Sequence, residues 1–147
     1  MLGSIVFAVL IGFSAVGWRS ITVERAEPDQ ADRRFTAIRN KFSGTEPLLR
    51  VEPDGRVVRR QVEPANVKPA YRLRVLAYRA SLGRVVQADV PFWFLKVKGP
   101  AIRVSLRDTG LDLDRLGLTP TELQRYGATV VLDELRTSGD RVLVWME

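Results

Sequence analysis

The chain opens on an uninterrupted apolar run: Leu2 to Trp18 (LGSIVFAVLIGFSAVGW) carries no charge. At 1.5 Å per helical residue these 17 residues span about 26 Å, close to the hydrocarbon thickness of a bilayer. The pattern predicts one transmembrane helix over residues 1–19, with Trp18 and Arg19 placed as an interfacial anchor. A cleaved signal peptide is the competing reading, because Ala15-Val16-Gly17 offers small residues for cleavage, but no Lys or Arg precedes the run. Residues 20–27 then read as a juxtamembrane linker and 28–147 as a soluble domain.

Within that domain the apolar spacing changes repeatedly. Ala31, Phe35, Ile38 and Phe42 recur at three- and four-residue intervals, which predicts an amphipathic helix from Pro28 to Phe42. Asp29 and Asp32 suit its first turn and Gly44 its stop. Leu48–Glu52 and Arg56–Arg60 flank the turn sequence Pro53-Asp54-Gly55 and predict a hairpin. Arg72–Arg79 alternates basic with apolar residues and Arg84–Val90 follows a short turn, which predicts a second hairpin. Pro91–Lys98 (PFWFLKVK) fits either a strand or a short helix, and Ile102–Leu106 reads as a short strand. Thr119-Pro120-Thr121-Glu122 is a capping-box sequence that predicts a helix ending at Gly127. Thr129–Arg136 and Arg141–Met146 around Ser138-Gly139-Asp140 predict a closing hairpin. The expected class is α+β: an antiparallel sheet with two or three short helices, preceded by one transmembrane helix.

Composition narrows the chemistry. With 147 residues, 46% apolar and 27% charged, one globular core is expected. There is no Cys and no His, which removes disulfides, thiolate nucleophiles, Cys/His zinc sites and imidazole acid–base catalysis. The net charge of +6 is uneven: Leu48–Arg107 holds 13 basic and 4 acidic residues, whereas Asp108–Glu147 holds 4 basic and 8 acidic. Arg19, Arg25, Arg33, Arg34 and Arg39 follow the apolar run closely, so the positive-inside rule places the domain in the cytoplasm, with an extracytoplasmic domain as the alternative.

Few residues propose catalysis. Asp108-Thr109-Gly110 matches the aspartic-protease tripeptide but occurs once and follows Arg107, whereas that chemistry needs two paired carboxylates. Asp108, Asp112 and Asp114, with Asp133 and Glu134, offer oxygen ligands for a divalent cation, at a spacing that does not fit an EF-hand. There is no phosphate-cradling glycine loop, dinucleotide fingerprint or nucleophile elbow. Binding chemistry is better represented. Arg72, Arg74 and Arg79 are interleaved with Tyr71 and Tyr78, and Phe92, Trp93, Lys96 and Lys98 follow as an aromatic and basic cluster. Four consecutive large apolar residues, Phe92 to Leu95, cannot all point inward from a strand, so part of that cluster is expected to contact a partner or lipid.

The span, the helix RRFTAIRNKF, the stretch RVLAYRASLGRVVQADVPFWFLKVKGP, the segment DLDRLGLTPTELQRYG and the terminal RVLVW together resemble uncharacterised bacterial single-span membrane proteins of similar length, across most of the chain. The C-terminal part is also similar to SHOCT-like modules of bacterial envelope proteins. Neither resemblance implies an activity. The expectation is a membrane-anchored, non-catalytic interaction module without a cofactor, in the bacterial cytoplasmic membrane. Its partners would be lipid through the N-terminal helix and anionic lipid or an acidic protein through a basic face, rather than nucleic acid. The alternative is a carboxylate- or metal-dependent enzyme using Asp108, Asp112 and Asp114.

Overall fold

The computed structural model describes residues 21–61, 68–97 and 119–147. The elements in chain order are β1 (Ile21–Arg25), α1 (Pro28–Lys41), β2 (Leu49–Val51), β3 (Val57–Arg59), β4 (Arg72–Arg79), β5 (Arg84–Pro91), the short helix α2 (92–97), α3 (Pro120–Gln124), β6 (Thr129–Leu135) and β7 (Arg141–Met146). Among the described residues seven strands form one sheet in the order β1-β5-β4-β7-β6-β2-β3. The α+β class therefore holds, but the sheet is mixed: β2 runs parallel to β6, with Leu49 opposite Leu132, and the remaining pairs are antiparallel.

Alternation along the strands gives the sheet two apolar faces. Leu73, Val75 and Ala77 of β4 and Val142, Val144 and Met146 of β7 line the first, where Phe92, Leu95 and Leu123 cover them. Leu76 and Tyr78 of β4 with Leu143 and Trp145 of β7 line the second, under Ala31 and Phe35 of α1. A bulge between Val130 and Leu132 shifts the β6 register, so Val130 joins the α1 face while Val131 and Leu132 join the other. Arg39 of α1 clamps Asp133 of β6 through two 2.7 Å hydrogen bonds, and Glu24 of β1 pairs with Arg34 of α1.

Local chemistry explains the helices. Glu27 and Gln30 form the capping box of α1, with Pro28 in its first turn. In α3 the Thr119 hydroxyl accepts from the Glu122 N–H while the Glu122 carboxylate accepts from the Thr119 N–H. The ambiguous segment after Pro91 is helical because only helical spacing buries both Phe92 and Leu95 and leaves Trp93 and Val97 outward.

Residues 21–25, which the sequence assigns to a linker, form β1. Its pairing with β5 sets Ile21 opposite Ala88 and Arg25 opposite Arg84, and the Ala26 N–H donates to the Gly83 carbonyl at 3.0 Å. The expected span at 1–19 and the strand at Ile102–Leu106 lie outside the described residues. Among the described residues no helix is long and apolar enough to cross a membrane.

Candidate functional site

The three strand arginines do not share one face. Arg72 and Arg74 of β4 lie on the α1 face, whereas Arg79, an odd number of residues on, lies on the opposite face at the far end of the strand. Carboxylates meet all three: Arg72 pairs with Asp89 of β5 at 2.8 Å, Arg74 with Asp89 at 3.7 Å and Glu147 at 3.4 Å, and Arg79 with Asp140 at 3.5 Å. Arg72 and Arg74 thus form a mixed-charge ladder across β5, β4 and the C-terminal residue of the chain. Asp140 also accepts the Ala80 N–H at 2.8 Å and so closes the β6–β7 turn onto the β4–β5 turn.

A second group converges on the opposite sheet end. Here β4 begins, β5 and β7 finish, and the Phe92 N–H donates to the Tyr71 carbonyl at 2.9 Å. Tyr71 is 59% exposed, with the Lys68 ammonium 5.3 Å from its ring centre. Trp93 is 60% exposed and stands edge-on to Phe94, while Val97 is 68% exposed. The Lys96 ammonium donates to the Gln124 side chain at 2.8 Å, and the Gln124 carbonyl accepts the Ala70 N–H at 3.0 Å, which draws α2 and α3 to the start of β4. Lys68, Tyr71, Trp93, Lys96 and Val97 therefore rim one end of the sheet.

Of the candidate residues, Trp93 and Lys96 stand on this rim and Phe92 lies beneath it as core, 1% exposed. Lys98 lies outside the described residues. Lys68 is not among the residues the sequence proposes; its ammonium stands over the Tyr71 ring, and Val97 is exposed through the helical geometry of α2.

The carboxylate alternative falls largely outside the described residues, which exclude Asp108, Asp112 and Asp114. Asp133 and Glu134 are adjacent in β6 and point to opposite faces, Asp133 to Arg39 and Glu134 to Arg136 at 3.5 Å. Among the described residues no group of three or more acidic side chains is placed to hold a metal ion.

Titration is perturbed at three described groups, each for a structural reason. Hydrogen bonds from the backbone N–H and hydroxyl of Thr119 hold Glu122 below the usual carboxylate range. The Arg56 backbone N–H, then its guanidinium, does the same to Asp54 in the β2–β3 turn, and the Asp133 carboxylate raises Arg39. All three belong to caps, turns or a helix-to-sheet clamp, and none lies on the rim. No family model, curated protein or solved structure matches the chain.

Proposed function

We propose that the protein is a single-span protein of the bacterial cytoplasmic membrane whose domain is a non-catalytic interaction module working at the bilayer surface, on the cytoplasmic side. The observation that carries this reading is the place where the chain enters the sheet. Ile21 is opposite Ala88, and β5 continues from Ala88 to Pro91 and on to Trp93. β1 runs from Ala88 toward Arg84, away from the sheet end that carries Tyr71, Trp93 and Val97, which supports placing the uncharged run before it on that side. A bilayer holding that run faces the exposed aromatic rim, which is where amphipathic rings are stable.

The charge distribution agrees with such a role. Arg72, Arg74 and Arg79 are ion-paired, as are Arg34 and Arg39 of α1, so a surface contact falls to the rim lysines. Alkaline carbonate extraction of membranes from cells producing the intact chain tests the reading. The protein stays with the membrane pellet if residues 1–19 span the bilayer, and release into the supernatant contradicts it.

A further inference from the structure

We infer that the rim formed by Lys68, Tyr71, Trp93, Lys96 and Val97 is a lipid-contact surface that seats this end of the domain in an anionic headgroup layer. The inference rests on the membrane-anchored reading and adds to it a contact surface and an orientation.

The tether length argues for it first. With β1 paired from Ile21 onward, only Arg19 and Ser20 separate Trp18 from the sheet. Three residue steps reach at most about 11 Å, comparable with a headgroup layer roughly 5–8 Å thick, so the domain has no free linker with which to stand clear. An eight-residue linker, as the sequence suggests, would have allowed it to tumble. The strand removes that freedom.

The chemistry of the rim argues for it next. Three large side chains at 59%, 60% and 68% exposure are grouped around the entry end of the sheet. Tyr and Trp are amphipathic and favoured at the membrane interface, and Lys can extend its stem along apolar surface while its ammonium stays with the headgroups. Lys68 and Lys96 flank the three apolar groups and match a negatively charged leaflet. At the far end Leu82 and Leu135 are exposed beside the Arg79–Asp140 and Arg136–Glu134 ion pairs, with Arg25 and Arg84 on the neighbouring strands and, among the described residues, no exposed aromatic ring.

The chain has no cysteine, so a single introduced thiol carries a unique label. The intact chain is reconstituted into phosphatidylcholine vesicles with and without phosphatidylglycerol, with an environment-sensitive dye on Trp93→Cys, Val97→Cys, Leu82→Cys or Leu135→Cys. A lipid-borne quencher should act several-fold more strongly at positions 93 and 97 than at 82 and 135, with aqueous iodide showing the reverse order. In the Trp93→Cys background, Lys68→Glu with Lys96→Glu should lower lipid quenching in the phosphatidylglycerol vesicles, and an unchanged value there would overturn the anionic preference. Failure of the protein to float with vesicles would overturn the anchor and the rim contact together. Flotation with equal quenching at all four positions would leave the anchor standing and overturn the rim contact alone.

Discussion

Ile21 stands opposite Ala88, three residues before Pro91, and β1 runs from there away from the sheet end at which Tyr71 and Trp93 are exposed. That register fixes which side chains of β1 face α1. A slip of one residue would turn the alternate side chains of β1 to the other face and take Glu24 away from Arg34 on α1.

The α1 face should dominate stability. Phe35 is fully buried against a face that includes Trp145 and Leu143, so Phe35→Ala is expected to cost about 3–5 kcal/mol, a large share of a typical domain's stability. Val58→Ala on the outer strand β3, where the side chain is 41% exposed, should change it by under about 0.5 kcal/mol. Urea unfolding of the two variants checks the contrast, and similar midpoints would contradict the assigned core.

The Arg39–Asp133 clamp joins α1 to β6 at a half-exposed site. A double-mutant cycle with Arg39→Ala and Asp133→Ala should give a coupling of about 0.5–1 kcal/mol that shrinks in high salt. Zero coupling at low salt would show that α1 docks by apolar contact alone.

Thr119→Ala should destabilise α3 by about 1 kcal/mol, since the Glu122 N–H loses its acceptor. The acid dependence follows from the lowered Glu122 pKa. A carboxylate depressed in the folded state stabilises it above its ordinary range, and that contribution is lost as pH falls through the folded value. Amide exchange in α3 should therefore speed up on acidification, and Glu122→Gln should flatten the change. A steep acid response that survives Glu122→Gln would assign it to another group.

Arg19, Arg25, Arg33, Arg34 and Arg39 set the expected orientation. In spheroplasts the domain should resist added protease until the membrane is opened. Digestion of the domain in intact spheroplasts would place it outside and reverse the topology while leaving the anchor untested by that result alone; carbonate extraction decides the anchor separately.

Much of the fold was legible because its signals are local. Pro53-Asp54-Gly55 and Ser138-Gly139-Asp140 announce hairpins, and Gly55 and Gly139 take the positive φ these turns need. Thr119 and Glu122 announce a cap. The parallel β2–β6 pair was not legible, because Leu49 and Leu132 are joined only by tertiary structure. Nor was β1, whose five residues ITVER follow a membrane-like run too closely to stand out as a strand. At the candidate site the impossibility of burying four consecutive large residues meant that part of Phe92–Leu95 stays outside, but not that Trp93 would be exposed while Phe92 is core. The pairing of Arg72 and Arg74 with Asp89 and Glu147 was not legible either, since it depends on which strands lie side by side.

An end of the sheet seated against the bilayer is detected by energy transfer to acceptors in the membrane. Donor dyes are placed on Lys68→Cys, beside Tyr71, and on Leu82→Cys, in the turn beyond Arg79, in the intact chain reconstituted into vesicles. The eight-residue strand β4 between them spans about 23 Å, enough to separate the two efficiencies clearly. Stronger transfer from position 68 than from position 82 is predicted; equal or reversed efficiencies would contradict the orientation that the Ile21–Ala88 register implies.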